Sequence, residues 1–163
     1  TVNHDRFWGL ENARIAPLPA QDIEVWIGAT APAAINRTAR LAEGWLGTPS
    51  STPQQAKEQL NQYRQACAEH QRKPSAVALR RDIFIGASVR QAEEFRSHAV
   101  AKGYRGFPED ALICGDISQV ATQFAELFEA GFTDIIVRNM ASDQGQALAT
   151  IEALSDVKRQ LRL

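Results

Sequence analysis

IEVWIGATAPAAINRTARLAEGWLGT, residues 23–48, decides how the rest of the chain is read. Residues 23–27 alternate as a strand does, with Ile23, Val25 and Ile27 on one face and Glu24 and Trp26 on the other. Gly28 turns the chain. A helix is predicted over residues 32–42, with Ala31, Ile35, Thr38, Ala39 and Ala42 on one stripe, and Trp45-Leu46 is a short buried strand ending at Gly47-Thr48. Strand, turn, helix and strand in this order make a βαβ unit, because parallel strands need a crossover connection. The amides of Gly28, Ala29 and Thr30 stand at a helix N-terminus, where an anion is favoured. On the residues alone, the plainer reading of that turn is a turn and a cap.

Outward from this unit the same alternation continues. Thr52-Pro53 is an N-cap followed by proline at the first helical position, and the helix after it buries Ala56, Leu60, Tyr63 and Cys67. Residues 77–86 form the longest strand candidate. Its odd positions, Val77, Leu79, Arg81, Ile83 and Ile85, are expected to face helices; the even set, with Arg80 and Asp82, faces a partly polar interior. Ser88 and Gln91 have the spacing of a capping box, and so do Asp116 and Gln119. Between them, residues 103–109 are a break rich in glycine and aromatics. The helix after Asp116 buries Val120, Phe124 and Leu127 and ends at Gly131. Residues 133–137 are the last strand, and residues 144–161 a closing helix burying Ala147, Ile151, Leu154, Val157 and Leu161.

Four strands, each followed by helix, predict a parallel sheet with covered faces. That is either a small open sheet or half of an eight-stranded barrel. Residues 1–21 read as an arm or loop, and residues 22–163 show no repeat or linker, so the chain reads as one domain. Thr1 opens the chain in mid-stride and Met140 is the only methionine, which reads as a piece of something longer.

A net charge of −1 over 163 residues gives no reason to expect nucleic-acid or membrane-surface binding. No apolar run approaches a membrane span, no signal peptide is recognisable, and two cysteines are too few for a disulfide framework; a cytoplasmic setting is expected. No metal motif is present, since His4, His70 and His98 are isolated and Cys67 and Cys114 lie far apart. Nucleophile elbow, Walker loop and full dinucleotide fingerprint are all missing. What remain are strand-end positions, where α/β proteins place their sites: Gly28–Thr30, Gly47-Thr48, Gly86–Ser88 and Arg138-Asn139. Arg80 and Asp82 either neutralise each other within the sheet or serve a site.

Several stretches carry a resemblance. They are Phe7-Trp8 with Leu10-Glu11-Asn12-Ala13 and Pro17-Leu18-Pro19; Glu24-Val25-Trp26-Ile27-Gly28; Thr38-Ala39-Arg40; Glu43-Gly44-Trp45-Leu46; Leu79-Arg80-Arg81-Asp82-Ile83; Cys114-Gly115-Asp116; and Asp134-Ile135-Ile136-Val137-Arg138. In this order they resemble the second half of the bacterial luciferase-like monooxygenases. The resemblance implies an α/β fold of four consecutive parallel βα units, the C-terminal half of a (β/α)8 barrel. It implies a flavin, FMN or alternatively a deazaflavin, with no metal, and oxidation of a small organic substrate with reduced flavin and oxygen, or hydride exchange with a deazaflavin.

Carried over by residue, Gly28, Ala29 and Thr30 match the turn that contacts the cofactor's phosphate, although Ala29 and Thr30 depart from the usual Gly-Ser. Thr48 matches a position near flavin or substrate. Arg80 matches an active-site arginine of the sulfonate-oxidising members, yet a strand running to Gly86 would set it well below the barrel mouth. Arg105 lies in the region of a mobile loop. The partner implied is the absent N-terminal barrel half or a second half-barrel, and a homodimer is expected. Two alternatives are a non-catalytic flavin-binding or dimer-forming half-barrel, and a small open α/β interaction module.

Overall fold

In the computed structural model, which describes residues 2–4, 8–14 and 16–162, two short strands come first. β1 (Val2–His4) and β2 (Trp8–Leu10) pair antiparallel as a sheet of their own, within the stretch expected to be an arm or loop. Strands and helices then alternate: β3 (Trp26–Gly28), α1 (Pro32–Leu41), β4 (Gly44–Gly47), α2 (Pro53–Glu69), β5 (Ala76–Ile85), α3 (Val89–Ala101), β6 (Leu112–Gly115), α4 (Ile117–Ala130), β7 (Asp134–Asn139) and α5 (Gln144–Leu161).

The four expected strands are parallel neighbours in the order β3-β4-β5-β7, as consecutive staves of a barrel wall are. A fifth parallel strand, β6, was not foreseen. Its place follows from register. Ala78 and Leu79 pair with both β4 and β7, while Asp82 and Ile83 pair with both β6 and β7. A strand has only two edges, so β7 fills one and β4 and β6 share the other, β4 along the lower half of β5 and β6 along the upper.

The parity of β5 is as expected. Val77, Leu79, Ile83 and Ile85 enter one core with Ile35 of α1, Leu60 and Tyr63 of α2, Val120 and Phe124 of α4 and Val157 of α5. Trp45 of β4 faces the same way and stacks on Tyr63 and Phe132, with ring centroids 5.4 and 6.3 Å away. The even face is less bare than expected. Phe84 stacks on Phe95 of α3 at 3.8 Å, within a second cluster that includes Tyr104, Leu112 and Cys114. The cause lies in register: Leu112 and Cys114 stand beside Asp82 and Phe84 and extend an apolar surface at the top of the inner face. Burying that surface against α3 is favourable.

Three other expectations are corrected. Ile23 and Val25 are 71% and 53% exposed; ladder pairing begins at Trp26↔Gly44, and before it Val25 bonds only to Glu43 and to the Gly44 amide. In α5, Leu154, Val157 and Leu161 join the core as expected, but Ile151 is exposed and Thr150 is buried in its place, its hydroxyl directed to the Ile85 carbonyl. The boxes at Thr52/Gln55 and Asp116/Gln119 are complete, whereas Gln91 accepts from the Ala87 amide rather than from that of Ser88. No described helix is long and apolar enough to cross a membrane.

Candidate active site

Register decides how deep each candidate lies. Gly28 pairs with Leu46 and Leu46 with Ala78, so Thr30, Thr48 and Arg80 fall at one level, two residues further on. β3 ends at Gly28 and β4 at Gly47, while β5 runs on to Ile85. Arg80 therefore lies just past the ends of β3 and β4, while β7 and β6 continue beside β5 to Ile83 and Ile85, so that relative to these strands it sits below their ends, as the length of β5 implies.

On the inner face, two residues above Arg80, the Asp82 carboxylate is 0% exposed and three arginines converge on it. Arg105 donates from Nη1 to Oδ2 at 3.0 Å. Arg138, beside Asp82 in register on β7, comes to 3.8 Å of the same oxygen, and Arg80 Nη2 to 3.9 Å of Oδ1. Only the Arg105 contact is a hydrogen bond; the others are ion pairs at longer range. Oδ1 has no hydrogen-bond partner, and Arg80 and Arg138 keep 35% and 45% of their side-chain surface exposed. Three guanidiniums on one carboxylate leave a surplus of positive charge at an accessible strand end. Such a site attracts an anion.

Backbone geometry aims Arg105. Gly103, Tyr104, Arg105 and Gly106 all have positive φ, at 85°, 32°, 57° and 73°, and this tight coil turns the side chain back over the sheet. Its guanidinium lies 4.6 Å from the centre of the Phe107 ring, a cation–π contact. Tyr104 is buried beneath, with its hydroxyl unpartnered. Burial first, then the nearby Asp82 charge, push that phenol up to about 12, against the opposing pull of Arg81, Arg105 and Arg138.

Thr30 and Thr48 line a different feature. With Ser50, Ser51, Gln55 and Glu58 they border a cleft of about 420 Å3 beside the start of α1. The Trp45 indole fixes the turn by donating to the Ala29 carbonyl at 2.9 Å. Side chains cap α2, α3, α4 and α5, but the N-cap of α1 is Ala31, which supplies none. Hydroxyls of Thr30, Thr48 and Ser50 beside an uncapped helix start form a neutral donor set that fits a phosphate monoester; Glu58 is the one opposing charge on the wall. Arg80 and Arg105 thus meet at Asp82, and Thr30 and Thr48 share the cleft. Gly86–Ser88 is structural: a Cβ on Gly86 would come within 2.9 Å of the Ala92 amide, and Ser88 caps α3.

The order of strands, the covering of the odd face by helices and the cluster of cations at strand ends define the second half of a (β/α)8 barrel. The chain belongs to the luciferase-like monooxygenase family, whose model matches residues 2–112. Among solved structures, it is similar to MsnO8 in its apo form (TM-score 0.70, 17% identity, 91% of this chain and 54% of that one). It is also similar to an F420-dependent secondary alcohol dehydrogenase in complex with an F420-acetone adduct (0.70, 13%, 94% and 53%). A third is the oxygenating constituent of 3,6-diketocamphane monooxygenase from the CAM plasmid of Pseudomonas putida, in complex with FMN (0.59, 15%, 80% and 46%). The chain spans about half the length of these structures. No curated protein matches.

Proposed function

We propose that the chain is the C-terminal part of a flavin-dependent oxidoreductase that acts on a small organic substrate bearing an anionic group. The observation that carries this reading is the convergence of Arg80, Arg105 and Arg138 on Asp82, two residues above the level of Thr30 and Thr48. Bound reduced FMN, or a deazaflavin in the alternative, would supply the electrons for the reaction. The Gly28-Ala29-Thr30 turn, with Thr48, would hold the cofactor's phosphate through amides and hydroxyls. Arg80, a third exposed and only loosely paired, would orient the anionic group; Arg105 would add charge from the coil above it. Asp82 would hold the three cations together by offsetting their mutual repulsion. The exposed edge at Ile23 and Val25 supports a partner there, the N-terminal barrel half or a second half-barrel, with a homodimer as the expected assembly.

The test uses the full-length protein and substrate pairs of one skeleton, one member anionic and one neutral. Arg80→Ala should lower kcat/KM for the anionic member by roughly 10- to 100-fold, the worth of a charge-assisted contact, and leave the neutral member nearly unchanged. Equal loss for both would remove the anion from the reading. Thr30→Glu sets a carboxylate beside the phosphate position and should weaken flavin binding; an unaltered titration would take the turn out of the site. Flavin binding without oxygen consumption or hydride exchange would favour the non-catalytic half-barrel.

A further inference from the structure

The outer face of the sheet holds a charge that the proposed chemistry does not use. Arg81 is 1% exposed. Its Nη1 donates to the carbonyls of Ser51 and Pro49, at 3.0 and 3.4 Å, while Nη2 is buried with no hydrogen-bond partner. Among the described residues no carboxylate forms an ion pair with it; the acidic partner on this strand, Asp82, belongs to the three inner-face arginines. Asp110 and Asp82 act on it only without direct contact. An arginine stays protonated in a protein, and a buried guanidinium with one nitrogen unbonded is costly.

There is room for an anion. α1 packs on α2 and α4 on α5, but α2 and α4 part around a cavity of about 250 Å3. Its floor is Arg81 among the buried side chains of Ile113, Leu127 and Phe132. Lys57 of α2, Glu126 of α4 and Asp110 stand exposed around the mouth. One guanidinium within apolar walls selects a ligand that is anionic at one end and apolar along its body. The acidic side chains at the mouth oppose a second negative charge.

We propose that this cavity binds a small organic monocarboxylate, its carboxylate turned toward the Arg81 guanidinium and its apolar body against Ile113, Leu127 and Phe132. Because Arg80 and Arg81 lie on opposite faces of β5, this site is separate from the arginine cluster of the candidate active site.

Benzoate, its neutral isostere benzamide and inorganic phosphate are the probes, titrated calorimetrically and by thermal shift into the full-length protein. Benzoate should bind saturably and raise the melting temperature, with benzamide and phosphate weaker by about tenfold or more. Ala130→Trp fills the cavity from its half-buried wall and should abolish the response, as should Arg81→Met; where Arg81→Met does not fold, Ala130→Trp carries the test. The titrations are repeated in the Arg80→Ala background, where the inner-face arginine cluster no longer draws benzoate. The proposal is overturned by benzamide or phosphate matching benzoate, by benzoate binding that survives Ala130→Trp in that background, or by no saturable binding there.

Discussion

Arg81 and Asp82 are consecutive residues of β5, sealed from solvent on opposite faces of one sheet, at 1% and 0% exposure. Their surroundings differ completely. Asp82 looks inward and gathers three guanidiniums, brought from β5 itself, from the coil after α3 and from β7. Arg81 looks outward and meets two carbonyl oxygens and a cavity. Burial is therefore a poor guide to what a charge does here. What separates the two is whether opposite charge converges on the residue. Where it does, the strand carries an over-supplied ion cluster; where it does not, it carries a vacancy for charge.

The largest effect that would break this contrast comes from Asp82→Asn, which keeps the shape and removes the counter-charge. It should cost about 1.5–3 kcal/mol in denaturant unfolding, the worth of a charged hydrogen bond, because the three arginines left behind stay partly in solvent. Arg81→Met gives up hydrogen bonds to two carbonyls but also removes a buried cation that has no ion-pair partner, so it should cost less, under about 1 kcal/mol. Equal losses would mean that the two residues are alike after all.

A comparable effect comes from pH. In the inner-face cluster, burial lifts the Cys114 thiol from 9.0 to about 11 and the Tyr104 phenol from 10.0 to about 12. Both folded values are raised, so their contribution is fully present below the unfolded values and disappears as pH climbs through the folded ones. Stability should hold to about pH 9 and then fall, by roughly 2–3 kcal/mol per group at most. Cys114→Ala should flatten the earlier part of that fall; an unchanged profile would place the loss on the outer core, where burial also raises Cys67 and Tyr63.

A similarly small stability effect belongs to Arg80→Ala. Its ion pair is 3.9 Å long and a third of its side chain is exposed, so the change should cost less than about 1 kcal/mol while it lowers turnover of an anionic substrate. A sharply lower melting temperature with normal turnover would return Arg80 to a purely structural place beside Asp82.

The wall of the half-barrel was legible because the odd positions of β5 are apolar apart from Arg81 and α2 buries Ala56, Leu60, Tyr63 and Cys67 at helical spacing. β6 was missed although Leu112–Gly115 precedes a capping box much as Trp45-Leu46 precedes Thr52-Pro53; its four residues follow an irregular coil and carry too short a pattern. Ile23 and Val25 show the reverse failure, alternation without a partner strand. At the site, Arg80 beside Asp82 could be read from the strand, and Arg105 and Arg138 were each candidates. Their meeting point could not be read, since it depends on a run of positive φ angles after α3 and on the register of β7 against β5.

The sharing of β5 by three partners has a consequence for the order of assembly. β4, β6 and β7 contact β5 directly, so residues 76–85 act as the template on which most of this sheet is laid down. Apart from β3 with β4, no pairing of the sheet can close until that template exists, and each closure spans a whole helix and its loops. Pairings so distant in sequence make folding slow. During synthesis β3-α1-β4 emerges ahead of β5, and the β4 edge that faces β5 is paired only when β5 arrives. The chain assembles around its middle strand.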